Sequence, residues 1–513
     1  MSDVLLGQAY YLRFDPKLWA AMQPYPPLGT LYAASLLRQR GYQVALFDAM
    51  LAESESEWDR TLERAAPRFA VLFEDNFNYL SKMCLGRMRQ AALTMIELAR
   101  ARGCTVLVCG ADPSDHPEIY LQRGAQFVLF GEGELTLAEL LDRLSGRSAQ
   151  PLESIAGLHR LDPATGRLIS TARRPDLREL DALPFPAWDL IDVERYRRIW
   201  LERHGHFSIN MVTTRGCPYH CNWCAKPIWG QRYNSRSPEN VIEELLWLKR
   251  TYRPDHIGFA DDILGLKPGW LPRFAALVES LNAKLPFKCL SRADLLLREG
   301  EIAALRRAGC SEVWIGAESG SQKILDAMEK GIRVEQIRAA ARRLHQAGIR
   351  VGFFLQFGYP GEGRTEIEQT FELVRDCAPD DIGMSVSYPL PGTPFHRAVR
   401  EQLGAKQNWD DSDDLAMLYR GPFSTGFYRQ LYRVLHGEFR ARKSLREVGA
   451  ALRRPAGLRP RHLRRLAAAT YHAAALPLGR ARLAQLARRP HDGMQPLGAT
   501  LSTDEAAAPT AQA

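Results

Sequence analysis

The residues best suited to chemistry stand in one short run, Thr213-Thr214-Arg215-Gly216-Cys217-Pro218-Tyr219-His220-Cys221-Asn222-Trp223-Cys224. Three cysteines recur there at C-x3-C-x2-C spacing. A loop this tight can bring three thiolates to one corner of an iron–sulfur cluster. A structural zinc or an electron-transfer cluster normally closes four positions. Three protein ligands leave one iron of a [4Fe–4S] cluster open to a small molecule. Two other closures use the same residues. One is a zinc site completed by His220, and the other a cluster with a distant fourth cysteine, Cys289 or Cys310. Cys84, Cys104, Cys109, Cys289, Cys310 and Cys377 show no ligand spacing, and most lie in apolar runs, as core thiols do.

A loop can do this only if rigid elements hold it. The pattern around it predicts α/β architecture. Strand candidates 4–6, 44–47, 69–73, 105–109 and 127–130 alternate with helical patterns 28–39, 83–101 and 135–144. That alternation implies a parallel sheet with helices on both faces, a flavodoxin-like doubly wound domain over residues 1–146. Such sheets bind ligands beyond the carboxyl ends of their strands. Residues 147–206 read as a connector, with a hairpin around Asp162–Gly166 and a stretch rich in proline and acid at 175–186. From residue 207 the alternation restarts. Six strand candidates (209–213, 257–259, 287–290, 313–315, 351–356 and 382–386) are separated by helical patterns 241–252, 270–281, 301–308, 336–346 and 366–377. They predict a partial (β/α)6 barrel over 207–395, with chemistry at the carboxyl ends of its strands. A helical C-terminal region is expected over 396–450, helical from about Trp409 to Val448. An Arg/Ala-rich tail, partly disordered, is expected over 451–513.

The cysteine spacing, its place after the first barrel strand and Trp223 just before the last cysteine resemble the radical S-adenosylmethionine (SAM) superfamily. The likeness covers most of residues 1–400. Lys226-Pro227-Ile228-Trp229-Gly230-Gln231-Arg232-Tyr233 and Arg236-Ser237-Pro238-Glu239 resemble the segment after the cluster in cobalamin-binding members, the class B radical SAM methyltransferases. The resemblance implies that Cys217, Cys221 and Cys224 hold a [4Fe–4S] cluster whose open iron chelates SAM. One electron would then cleave SAM to a 5′-deoxyadenosyl radical. It places Trp223 near the adenine and Asp261-Asp262 at the methionine ammonium. Arg292 would meet the carboxylate or ribose. Gly316-Ala317-Glu318-Ser319-Gly320-Ser321 resembles the ribose segment, and 352–362, with Gly358, the segment packed near adenine. The turn Pro389-Leu390-Pro391-Gly392-Thr393-Pro394 matches the one after the sixth strand, a structural feature.

Pro26-Pro27-Leu28-Gly29 and Gly131-Glu132-Gly133-Glu134 resemble the B12-binding domain of the same enzymes. The implied cobalamin contacts are strand ends and helix starts: Gln8, Tyr10, Leu28, Gly29, Glu74, Gly110, Gly131, Glu132, Gly133 and Glu134. Glu74–Tyr79 is unusually polar and aromatic for a strand end. No D-x-H-x-x-G run supplies a histidine to cobalt, and Asp115-His116-Pro117 lacks that spacing. His116 therefore reads as a loop residue, and His204 and His206 as structural. The resembled class commonly binds cobalamin without a protein imidazole.

Composition limits the rest. The chain has 513 residues, 46% hydrophobic and 25% charged, as globular protein does. No signal peptide is recognisable, and no apolar run reaches about 18 residues, so no membrane span is expected. A cytoplasmic, reducing location follows, with thiols rather than disulfides. Net charge is +9, yet residues 439–490 carry fourteen Lys or Arg against Glu447 alone, or +13, leaving about −4 elsewhere. Such a segment reads as a solvated helical tail, with nucleic acid or an anionic membrane as alternative partners. Tyr471 is the lone aromatic among these cations, which disfavours nucleic acid.

The functional expectation is a cobalamin-dependent radical SAM methyltransferase acting on an unactivated carbon of a small-molecule substrate. An external one-electron reductant such as flavodoxin or ferredoxin would feed the cluster. The rivals are a non-methylating radical oxidoreductase or cyclase, a methylthiolating enzyme, and a non-catalytic cobalamin or iron–sulfur binding protein.

Overall fold

The computed structural model describes residues 2–83, 85–224, 228–453 and 460–488. Cys84, Lys226, Pro227 and the 493–513 terminus lie outside the described residues.

The first sheet is built from β1 (Val4–Gly7), β2 (Val44–Leu46), β3 (Phe69–Phe73), β4 (Thr105–Cys109), β5 (Phe127–Leu129), β6 (Leu158–Leu161) and β7 (Leu168–Ser170). Their order is β2-β1-β3-β4-β5-β6-β7, with the first five parallel and the last two antiparallel. Parallel strands covered on both faces need continuous apolar runs. Phe69–Phe73 is such a run, buried at all five positions. Leu5, Leu72 and Val108 enter one core, Val4, Leu6 and Val71 the other. The β6–β7 hairpin, expected within a connector, instead pairs with β5. It covers an edge that would otherwise stand open.

The second sheet contains β8 (Ser208–Met211), then, beyond the short antiparallel pair β9 (Thr214–Arg215) and β10 (Asn234–Ser235), β11 (His256–Phe259), β12 (Phe287–Ser291), β13 (Cys310–Glu318), β14 (Arg350–Phe357) and β15 (Asp381–Val386). Six parallel strands run in the order β15-β14-β13-β12-β11-β8, a half barrel. Here the two strand faces differ. Val313, Ile315 and Ala317 are buried, while Glu312, Trp314 and Gly316 alternate with them and are only partly covered. The period of two follows from a sheet with helices on one face only.

The front domain docks into this half barrel. The Tyr25 hydroxyl lies 2.8 Å from Ser208 Oγ, Asn210 Nδ2 donates to the Pro26 carbonyl at 2.9 Å, and Trp200 Nε1 donates to Pro24 at 2.8 Å. Gly258 is needed on β11, because a Cβ there would lie 2.9 Å from the Tyr25 hydroxyl. The apolar core runs through the interface, taking in Leu31, Tyr32 and Phe77 with the barrel residues.

Two expectations about the helices change. The helix expected over 83–101 begins at Gly86, and a separate short helix, Tyr79–Met83, precedes it. The expected helical region from Trp409 is irregular up to Ser424, after which Thr425–Leu452 is one helix. Pro460–Leu486, in the segment read as a solvated helical tail, is a second helix and packs back on the first. Arg480 joins them, 2.6 Å from Glu438, which Arg375 of the barrel also meets at 2.6 Å.

Front-sheet strand ends are tied by a carboxyl. Glu74 Oε1 accepts from the Ala9 amide at 3.0 Å, joining β3 to the segment after β1. Burial pushes the Glu74 carboxyl up to about 8 from 4.5, against the opposing effect of the Ala9 amide. The folded protein therefore holds a proton that the unfolded chain releases between those values. This group leaves stability intact below pH 4.5 and subtracts from it as pH rises towards 8. Glu74→Gln is expected to be more stable than wild type at pH 8, with the difference vanishing near pH 5, by urea unfolding across that range. A pH-independent difference would contradict the assignment.

Candidate active site

The cysteine loop leaves the barrel through β9. Gly216 turns it with φ of +79°, and a Cβ there would fall 2.3 Å from the Arg232 carbonyl. Cys217, Cys221 and Cys224 are all half-buried. Asn222 fixes the loop's far side. Its amide donates to the Met328 carbonyl at 3.1 Å and its Nδ2 to Ala327 at 2.8 Å, while the Tyr359 hydroxyl donates to its Oδ1 at 2.8 Å.

Arg215 fixes the near side. Its Nη1 donates to Glu132 Oε1 at 3.1 Å and its Nη2 to Glu134 Oε1 at 2.7 Å. Side-chain exposures are 4% for Arg215, 6% for Glu132 and 8% for Glu134, so the triad is shut off from water. Burial opposes the guanidinium charge, but Glu134 and Glu132 together hold it above its ordinary pKa. Glu132 also accepts from the Leu177 amide, bringing in the connector. The Gly131–Glu134 segment, read as a cobalamin contact, thus spends its two carboxylates on the cluster loop. Gly133 is needed for another reason: a Cβ there would overlap Cys109 Sγ at 2.2 Å.

Asp261 and Asp262, expected as a pair, separate. Asp261 Oδ1 accepts from the Thr213 amide at 2.8 Å and from the hydroxyls of Thr213 and Thr214 at 3.0 and 2.7 Å. Its Oδ2 is buried without a partner, and burial pushes the carboxyl up to about 6. Asp262 meets Lys82 of the front domain at 2.8 Å.

Arg292 lies over the Tyr219 ring at 3.5 Å, and its Nη1 is 3.9 Å from Cys221 Sγ. Its Nη2 donates to the Lys330 carbonyl at 2.9 Å. Lys330 was missed by the sequence reading. Its Nζ donates to Glu318 Oε1 at 2.8 Å and sits 5.9 Å from the Trp223 ring. Burial works against this ammonium, yet Glu318 and the charge of Cys221 carry its pKa above the ordinary value. Only the fold brings the turn after Ala327 to the cysteines. Two cations beside Cys221 favour added negative charge there, as reduction of a cluster requires.

Glu318 ends β13 at a register shift, with φ of +56°. A buried non-glycine residue in that region is strained, and such strain gathers at functional sites. Gly316 leaves room for this pair, since a Cβ would lie 2.7 Å from both Glu318 Oε1 and Lys330 Nζ. Ser319 is fully buried and accepts from the Ser321 amide at 3.1 Å. Gly358 has φ of +83°, and its amide donates to Glu362 at 2.5 Å. The Trp223 indole Nε1 is buried without a partner.

In the front domain, Gln8 Nε2, Asn76 Oδ1 and Ser81 Oγ are also buried and unpartnered. Gln8 Oε1 accepts from the Tyr10 amide, and Tyr10 donates to Asp15 at 3.4 Å. The Gly29 amide, beside Leu28 at the helix start, donates to Asp75 at 3.0 Å, and Gly110 packs on the Glu74 side chain. A cavity of about 300 Å³ opens between the two domains, lined by Lys82, His116, Tyr388, Leu390, His396 and Arg400. His204 Nε2 donates to the Met22 carbonyl at 2.8 Å.

Residues 211–374 match the family model of the Radical SAM superfamily. Residues 211–374 form a Radical SAM domain, and the chain is an enzyme. An uncharacterized methyltransferase of Pyrococcus horikoshii is 28% identical over 391 residues, 75% of this chain and 81% of that protein. An anaerobic magnesium-protoporphyrin IX monomethyl ester cyclase of a Synechocystis species is 26% identical over 329 residues, 63% of each. Among solved structures, the cobalamin-dependent SAM radical enzyme OxsB, with aqua-cobalamin and SAM bound, superposes with a TM-score of 0.68 at 18% identity, over 94% of this chain and 72% of that one. That likeness concerns the fold.

A Radical SAM domain implies a [4Fe–4S] cluster and SAM. The site fits both. Three half-buried cysteines ring a loop pinned at both ends, and an orphaned carboxylate oxygen and indole N–H await a ligand with a donor and an acceptor. Among the described residues no helix is long and apolar enough to cross a membrane.

The triad gives a direct test. Arg215→Met leaves Glu132 and Glu134 buried without a counter-charge and is expected to cost ~3–5 kcal/mol of unfolding free energy. Arg215→Met combined with Glu132→Leu and Glu134→Leu should recover most of it. Urea unfolding of the apoprotein measures both, and a single-variant loss below ~1 kcal/mol would show that the triad does not stabilise the fold.

Proposed function

We propose that this enzyme is a cobalamin-dependent methyltransferase acting on an unactivated carbon of a small-molecule substrate. The observation that carries the reading is the set of buried polar atoms left without partners in both domains. Gln8, Asn76 and Ser81 offer an amide-rich ligand its partners from the front domain. Asp261 and Trp223 do the same for SAM from the barrel. When bound, the cluster and SAM supply a 5′-deoxyadenosyl radical, and cobalamin supplies the methyl group.

The chain's own part is placement. Cys217, Cys221 and Cys224 hold the cluster. Asp261 takes the SAM ammonium on Oδ2, and Glu318, with Lys330 behind it, faces the ribose. Ser319 and Gly358 form the wall beside Trp223. Tyr10, Leu28, Gly29, Glu74, Gly110 and Gly131–Glu134 frame the cobalamin side. The substrate would enter the cavity beside Lys82 and Tyr388. A flavodoxin or ferredoxin is the proposed electron donor. The methyltransferase-named relative and the cobalamin-holding fold neighbour support this reading. The cyclase-named relative supports a second one, radical oxidation or cyclisation without methyl transfer.

Anaerobic reconstitution with iron, sulfide and hydroxocobalamin tests the two-cofactor assignment. About four irons and one cobalt per chain are expected. Cys221→Ala should abolish 5′-deoxyadenosine formation while retaining cobalt. Iron without cobalt would retire cobalt-mediated transfer. Turnover that yields 5′-deoxyadenosine but no S-adenosylhomocysteine would select the second reading.

A further inference from the structure

The basic C-terminal hairpin takes no part in the site, and its outer face is unusual. From Leu466 to Gly479 the Pro460–Leu486 helix has no Lys, Arg, Asp or Glu. Its inner stripe (Ala469, Leu476, Leu483 and Leu486) packs on the Thr425–Leu452 helix and the core. The opposite stripe is apolar too. Tyr471 is 72% exposed and Leu478 77% exposed, two helical turns apart on one face, with exposed Ala467, Ala474 and Ala475 around them. Exposed Arg464 and Arg482 bracket this face, about 27 Å apart at 1.5 Å per residue. Arg480 between them is turned inward, onto Glu438 and Glu368.

A soluble helix normally puts its polar residues on the face it shows to water. This one shows alanine, leucine and tyrosine there. The surrounding charge narrows what covers it. Residues 439–490 hold fourteen Lys or Arg against one acid. A second copy would bring two such +13 segments together, which their repulsion opposes. Nucleic acid would satisfy the cations but leave the apolar centre without a match, and Tyr471 is the lone aromatic available for stacking. An anionic bilayer satisfies both, taking the apolar stripe into the headgroup boundary and the arginines at its phosphates.

We propose that this helix lies on an anionic lipid surface, with Tyr471 and Leu478 inserted and Arg464 and Arg482 at the headgroups. The hairpin is tied to the barrel through the Arg375–Glu438–Arg480 ion pairs, so docking sets the orientation of the whole enzyme on the membrane.

The test is co-sedimentation of the full chain with phosphatidylglycerol/phosphatidylcholine vesicles and with phosphatidylcholine vesicles. Binding to the anionic vesicles at least tenfold tighter, weakened by added salt, is expected. Tyr471→Glu/Leu478→Glu should lower it at least tenfold with an unchanged thermal midpoint, because both side chains are exposed. Equal binding to the two vesicle types, no binding, or full binding by the double variant would overturn the proposal. So would a dimer, seen by light scattering, that the double variant abolishes, or tight duplex-nucleic-acid binding with vesicles inert.

Discussion

Arg215 is a buried cation that ties the two domains together beside the cysteine loop. It stands two residues before Cys217, and both of its carboxylate partners belong to the other domain. In a low-dielectric interior the triad's attraction only roughly repays the cost of drying three charges. Its worth therefore lies in specificity. Removing water leaves the guanidinium a single acceptable position, and that position fixes where β9 departs and where the first cysteine falls. The front domain is in this sense part of the cluster loop's own support. Asn222 completes the arrangement by anchoring the other end to the turn at Ala327–Met328.

The second constraint is the crowding at the end of β13. Glu318 occupies a left-handed backbone conformation that a glutamate enters at a cost, and its carboxylate closes on Lys330. Lys330 in turn offers its carbonyl to Arg292, which reaches Cys221. The Glu318 carboxylate, the Lys330 ammonium and the Arg292 guanidinium are thus one connected network. A change at any member alters both the electrostatics at the cysteines and the shape of the pocket. Gly316 is the space that allows it, and even one methyl group there would strike two of the charged atoms.

Much of this was legible in the sequence because the architecture is periodic. Apolar runs such as Phe69–Phe73 must be covered on both faces, so they announced the parallel front sheet. The cysteine spacing announced the cluster loop because its ligands are neighbours in the chain. What was illegible depends on contacts across distance. Nothing local marks Lys330 as the partner of Glu318 rather than a surface lysine. Gly131-Glu132-Gly133-Glu134 stood out as a motif, but its carboxylates point to Arg215, about eighty positions away, rather than to an open strand end. Asp261-Asp262 looked like a pair because the residues are adjacent. A strand end directs successive side chains apart, so one is buried against Thr213 and Thr214 and the other meets Lys82. The hairpin at Leu158–Ser170 was visible as a hairpin, but its sheet was not, since pairing with β5 is again a long-range choice.

The charge of the chain divides along the same line as its architecture. The body that carries the site sums to about −4, while residues 439–490 carry +13. A catalytic body with buried, internally paired charges has little use for a field of that size. Within the hairpin only part of the charge is neutralised. Arg480 is spent on Glu438 and Glu368, and Arg465 meets Glu447 at 2.5 Å. With a single acid in the segment, the remaining cations must find their counter-charge outside it. Others bond to barrel carbonyls, as Lys443 does at Asp380 and Arg446 at Pro379. Such bonds satisfy donors but cancel no charge. The excess persists at the surface, next to a helix face that exposes Tyr471 and Leu478, and the two features together are more specific than either is alone.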